Sequence, residues 1–329
     1  APYLEVLGES GVLHQEGERW EWIADSYPAN AVSLRSVADG NFVVVNRTDG
    51  RQTIIAEVNF SSAPLTLYEG AIHMIQSTPY QVEKLDWEGR KAYVTRTHVD
   101  YYTDAIDYTK LKVLERFDGV NAGKGNAHHG EVHVVRRVSG YKKIRYYTHE
   151  NIGYGPVNLP DQELHTTAAW WQLPQTVLDQ AFDSRQAALD GFLGAAYALH
   201  VVATVAVMAE ARDLQKAVGS GDGAWFAVSD GRGRGQLRSD DGNISDINRA
   251  ERFIPTVYLY DNYPGGVGLS EPLWKRQAEL LKRAIELVNE CDCKSGCPAC
   301  VGPVLDADEN LIESPKFLTA KVLALLVNA

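Results

Sequence analysis

Basic charge is in short supply here: 32 Lys and Arg stand against 43 Asp and Glu, a formal charge of -11 over 329 residues. That balance excludes nucleic-acid binding by bulk charge and leaves only a local basic patch. Two further absences concern catalysis of ATP turnover. No Gly-Lys-Ser/Thr closes a phosphate-binding loop, since the only Gly-Lys, Gly123-Lys124, runs into Gly125. No acidic Asp-Glu-Ala-Asp/His box is present to hold Mg²⁺. The start, Ala-Pro-Tyr-Leu-Glu, has no basic-then-apolar leader and no initiator Met, as expected of a soluble, intracellular fragment. Cysteine is scarce too, but its four copies fall together.

One apolar run is long enough to raise the question of a membrane. Residues 191–209 read GFLGAAYALHVVATVAVMA, close to the twenty residues a spanning helix needs. His200 in the middle and the flanking Asp190, Glu210, Arg212 and Asp213 argue for a buried core helix, with no membrane partner.

The chain divides by composition. Residues 1–30 read as the tail of a preceding segment, of winged-helix type. Residues 31–170 carry short Val/Ile/Thr/Tyr-rich runs punctuated by Asp49-Gly50, Glu88-Gly89 and Ser139-Gly140, the pattern of a small barrel or twisted sheet. Residues 171–329 read as a mainly helical α/β lobe. Within it, 217–250 is a Gly/Ser/Asp-rich stretch expected to be a long loop, and Ser270 is the expected cap of a helix bearing Trp274, Ala278, Leu281, Ile285 and Val288 on one face. A last helix is expected from about Ser314 to Val327. The fold class is α+β, the second lobe closed by the cysteines.

Cys291, Cys293, Cys297 and Cys300 make the pattern C-x-C-x3-C-x2-C within ten residues. Four thiolates in tetrahedral reach of one ion point to structural zinc, with no open position for chemistry. A [4Fe–4S] cluster uses the same ligand set and is the second reading. Disulfides come third, because the pairs are too close for relaxed bridges and no export signal is present.

Three further constellations are weighed. The glycine turn with Gly265, Gly266 and Gly268 sits between a strand and a helix and is either a tight packing turn or a phosphate contact. His200, Asp213 and Asp261 are either parts of a hydrolytic site or a core histidine with two turn aspartates, while His128-His129 reads as a solvated loop pair. The densest basic run, Arg136, Arg137, Lys142, Lys143 and Arg145 with Tyr141 and Tyr147 between, is expected on a hairpin turning at Ser139-Gly140. Cations beside rings suit a single strand, with three to five phosphates met, and the alternative is a solvated face with inward tyrosines.

Taken together, LGAAYALH (193–200), VYLYDNYPGGVGLSE (257–271) and CDCKSGCPACVGP (291–303) resemble the zinc-binding C-terminal region of MrfA/YprA-type helicases. These are superfamily 2 DEAD/DEAH-box enzymes. Upstream, Tyr68–His73, Tyr80–Val82, Val99–Thr103, Gly140–Ile144 and Thr166–Trp171 are similar to the region after their motor, so the resemblance covers about residues 20–303. It implies a structural zinc on the four cysteines and a parent enzyme driven by ATP and Mg²⁺ held in motor domains outside this sequence. It also implies 3′-to-5′ travel on single-stranded or branched DNA in repair, in the cytoplasm at the nucleoid. This fragment would guide the strand and turn over no ATP. A non-motor interaction subunit of a phage-defence complex is the alternative, and a hydrolase the third reading.

Overall fold

The computed structural model describes residues 2–24, 40–229, 235–239, 243–250, 252–303 and 313–328. In chain order the elements are α1 (Pro2–Glu9), β1 (Leu13–Glu16), β2 (Arg19–Trp22), β3 (Asn41–Asn46), β4 (Thr53–Asn59), α2 (Ala63–Thr66), β5 (Ile72–Ile75), β6 (Thr78–Asp86) and β7 (Lys91–Arg96). Then come β8 (Tyr101–Ala122), β9 (Gly125–Arg145), β10 (Asn151–Pro156), β11 (Gln162–Gln172), α3 (Gln175–Ala181) and α4 (Arg185–Val207). The chain ends with β12 (Leu214–Gly219), β13 (Trp225–Ser229), β14 (Gly235–Ser239), β15 (Thr256–Asp261), α5 (Ser270–Lys275), α6 (Gln277–Glu290) and α7 (Pro315–Val327).

Strands β4-β3-β7-β6-β5 form a five-stranded sheet over the core of Phe42, Val44, Leu67, Tyr68, Val82 and Val94. The larger sheet runs β10-β9-β11-β15-β12-β13-β14, with β8 on the other edge of β9. It curls into a half-barrel until Val113 of β8 donates its N–H to Gly221 O beyond β12, at 3.1 Å. The curl encloses Leu111, Val132, Val134, Trp170, Tyr258 and Tyr260 on one face. The other face, through Ala169, Trp171, Val257 and Leu259, packs on the helices.

Several expectations change. The division at residue 170 falls inside β11, so one sheet joins the β-rich and helical parts. The expected loop at 217–250 holds β13 and β14, which extend that sheet and bury Trp225, Phe226 and Leu237. Its glycines mark the turns between short strands, as at Gly223 with φ +75°. The expected single helix after Ser270 is two, α5 and α6, broken at Arg276.

Helix α4 is long and apolar enough to cross a bilayer by length and composition, and 56% of its most apolar window is buried inside the protein. It packs on the sheet and on α7, so closely that a Cβ on Gly191 would sit 2.7 Å from Leu318 O. That is a core helix, as its central histidine implied. Helix α7 starts where expected, with Ser314 Oγ accepting from Phe317 N at 3.2 Å.

Candidate metal centre and nucleic-acid interface

The cysteines lie just after α6, where Cys300 and Val301 both donate N–H to Cys297 O at 3.0 and 3.1 Å. This tight turn aims the sulfurs inward. Four of the six Sγ–Sγ separations are 3.5–3.7 Å: 291–293, 291–297, 293–300 and 297–300. All four sulfurs lie within 4.8 Å of one another, and none is disulfide-bonded. A tetrahedron of thiolates at about 2.3 Å from zinc has edges of about 3.8 Å, which this arrangement fits. Burial pushes the Cys300 thiol up, while the N–H of Cys293 and the neighbouring thiols hold Cys291 down at about 7. A metal that takes four thiolates removes this conflict.

Two supports of the knuckle were not legible in its spacing. Lys316, on the first turn of α7, donates Nζ to the carbonyls of Cys291 and Cys293, the latter at 2.9 Å, and its own N–H to Ser295 O. Tyr197 of α4 donates its hydroxyl to Pro298 O at 2.5 Å and packs beneath Gly302, whose φ is +96°. Groups that orient ligand residues typically contribute 10–100-fold in metal affinity. Lys316→Ala is therefore expected to weaken zinc retention by about tenfold, read as zinc transfer to a chromogenic chelator. Retention equal to wild type would remove Lys316 from the site.

The glycine turn is already full. Gly265, Gly266 and Gly268 all have positive φ, at 75°, 75° and 86°. The N–H groups they aim inward meet the wholly buried carboxylate of Asp261. Oδ2 accepts from Val267, Gly268 and Leu269 at 2.8–2.9 Å, and Oδ1 from Ser270 N at 2.9 Å. Gly265 N goes to His165 O and Gly266 N to Tyr263 O. The phosphate reading is thus corrected: an internal anion occupies the nest, and Ser270 is held by it as the first residue of α5 rather than capping that helix.

The hydrolytic reading fares no better. His200 is buried with Nε2 2.8 Å from Leu214 O, and burial lowers its pKa. Asp213 accepts from the Tyr263 hydroxyl, and Asp261 is spent in the turn. His128 and His129 lie in β9, not in a loop: His128 is buried, and His129 stacks on Trp274 at 6.1 Å.

The basic run lies in β9, and Ser139-Gly140 is a bulge in mid-strand, not a hairpin turn. The pairing steps from Asp107↔Val138 to Ile106↔Gly140, so Ser139 is the extra residue. Past the bulge the alternation inverts, placing Tyr141, Lys143 and Arg145 on the face of Arg136 and Val138, and Lys142 on the other. Tyr141 is core: it stacks on Tyr68 at 5.0 Å, over Gly70 and Gly155 where any side chain would collide. Carboxylates claim three of the cations. Arg137 binds Asp161 through two bonds of 2.7 and 2.6 Å, which holds that carboxyl below its usual range. Arg145 lies 3.3 Å from both Asp100 and Glu150. Arg136 sits 3.8 Å from Asp107, whose carboxyl is pushed up by burial and pulled back by that guanidinium. Lys142 and Lys143 make no ion pair among the described residues. The turn lies at 146–150, where Tyr147 is 97% exposed. Tyr154 of β10, opposite Lys142, is 69% exposed and was not singled out by the sequence. Arg232 and Arg234, a further basic pair within the 217–250 stretch, lie outside the described residues.

These observations define a mixed α/β module whose helices α4, α6 and α7 meet at a structural zinc site of Cys291, Cys293, Cys297 and Cys300. Residues 195–301 match the MrfA Zn-binding domain, and the chain is homologous to ATP-dependent helicases. It is 36% identical over 304 residues to the ATP-dependent helicase YprA of Bacillus subtilis, spanning 92% of this chain and 37% of that protein. To ATP-dependent helicase HRQ1 of Saccharomyces cerevisiae it is 22% identical over 292 residues, spanning 88% and 25%. Among solved structures, the DUF1998 helicase MrfA bound to DNA aligns with a TM-score of 0.61 and 34% identity, over 98% of this chain and 39% of that one. MrfA bound to DNA and AMPPNP aligns at 0.52. The chain thus spans less than two-fifths of the length of each of these relatives.

Proposed function

We propose that this chain is the accessory C-terminal region of an ATP-dependent 3′-to-5′ DNA helicase acting in repair, where it guides single-stranded DNA leaving the motor. The observation that carries the reading is the fit of the whole chain to a helicase bound to DNA, at 34% identity over 98% of its residues. ATP and Mg²⁺ belong in this reading to motor domains of the same parent protein, in the cytoplasm. The order of α1 and the β1–β2 hairpin, with pairing Leu13↔Trp22 to Glu16↔Arg19, suits the last helix and wing of a preceding winged-helix segment.

The strand contact belongs at the tip of β9 and β10. Lys142 and Lys143, on opposite faces of β9, are its cations without an ion pair among the described residues, Lys143 lying 5.4 Å from the Tyr101 ring. Tyr147 and Tyr154 are exposed rings on which bases stack as a strand crosses the tip. With two phosphates met rather than three to five, log K against log salt has a slope of about -1.4. The double variant Lys142→Ala, Lys143→Ala is expected to flatten it nearly to zero. Anisotropy of a labelled oligonucleotide across several salt concentrations measures this, and an unchanged slope would exclude the tip.

A further inference from the structure

A cleft of about 370 Å³ opens where the five-stranded sheet meets the larger one. Its floor is a row of polar groups on one face of the half-barrel: Asp107 of β8, Arg136 of β9, Gln162 of β11 and Gln215 of β12, with the buried Tyr260 of β15 among them. The register makes them neighbours, with Gln162↔Arg136 and Gln215↔Tyr260 directly opposed, and Arg136 two pairs along from Asp107↔Val138 and so on the same face. The roof is the turn after β4, and Phe60 and Tyr263 bring rings to the walls.

Both rings are fixed from behind. Phe60 packs on Phe42 and Trp87 at 5.8 and 5.4 Å, and the Tyr263 hydroxyl is held by Asp213. Within the cleft, the Gln162 side chain makes no hydrogen bond among the described residues. A guanidinium and a carboxylate 3.8 Å apart, with side chains 18% and 39% exposed, present a donor beside an acceptor. Aromatic walls with a donor–acceptor pair on the floor suit a planar heterocycle whose edge has the complementary order.

The geometry points to this cleft as a pocket for an unpaired guanine, with Arg136 donating to O6 and Asp107 accepting from N1–H and the N2 amino group. Guanine alone among the four DNA bases sets an acceptor beside two donors on one edge. Adenine, cytosine and thymine each turn a ring or carbonyl acceptor toward the carboxylate. The inference rests on the strand-guiding reading above and adds base preference to it, at a site separate from the β9–β10 tip. A base held here is out of its stack, which a single strand supplies at little cost.

The test is anisotropy with the intact chain and labelled oligo-dT carrying one central dG, deoxyinosine, dA or dT. One well-placed pair of contacts discriminates by about tenfold, so the dG strand should bind about that much tighter than the dT parent. Deoxyinosine, which lacks the N2 amino group, should fall between them. Asp107→Asn should bring the dG strand down to the dT level. The base series needs no mutation, so it decides the matter even if that variant folds poorly. Equal binding of all four strands overturns the guanine pocket and leaves strand guiding intact. Binding of none overturns strand guiding, and the pocket with it.

Discussion

Cys297→Ser should leave the chain without zinc and with its C-terminal lobe unfolded. The four sulfurs converge only because residues 291–302 wrap one point, and Cys297 also supplies the carbonyl that closes the turn. Without a metal, Cys293 and the wholly buried Cys300 are thiols packed against each other in a small space. A structural zinc contributes about 10–16 kcal/mol of apparent binding free energy, nearly all of it as folding. Removing one ligand should therefore exceed the whole stability of the lobe. Loss should spread along the contacts that run from the knuckle: Tyr197 into α4, and Lys316 into α7. The same chemistry sets a direction in pH. Each thiolate must take a proton for the metal to leave, so zinc is released as pH falls. Far-UV circular dichroism of wild type with and without chelator should reproduce the variant. A Cys297→Ser chain with wild-type melting would mean the knuckle does not hold the lobe.

Asp261→Ala should be the second severe lesion. One carboxylate satisfies four backbone N–H groups, those of Val267, Gly268, Leu269 and Ser270. Each buried donor left without a partner costs about 1–3 kcal/mol. Even with relaxation and water entry, the loss should exceed about 4 kcal/mol, the range reserved for broken buried networks. Asp261→Asn should fall between, because an amide offers one oxygen: facing the three N–H groups, it turns its own NH₂ on Ser270. Urea unfolding gives the ranking. Equal midpoints for wild type and Asp261→Ala would contradict the account of the turn.

The parts of this protein legible in its sequence are those set by local chemistry. The cysteine spacing is a local constraint, since four ligands in ten residues cannot avoid meeting. The strands near 42–45, 53–60 and 80–85 announce themselves by β-branched runs between turn residues, and Ser314 by its place before an apolar helix. What the sequence concealed depends on partners far along the chain. Ser139-Gly140 has the composition of a turn, but β8 and β10 pair across it and make it a bulge. Tyr141 sits among cations, and only Tyr68, from the bend before β5, shows that it belongs to a core. The stretch at 217–250 looks like a loop because its strands are short and its glycines many, yet β12 offers an edge for β13 to join. The glycines at 265, 266 and 268 have the look of a phosphate turn until Asp261, the last residue of the preceding strand, fills it. Among the cations, the decisive fact was which had a carboxylate opposite.

The most direct test of the account is the metal content of the chain purified without chelator, by inductively coupled plasma mass spectrometry. One zinc per chain, lost in Cys297→Ser, is the predicted result. Iron with visible charge-transfer absorption, or a folded chain holding no metal, would contradict it.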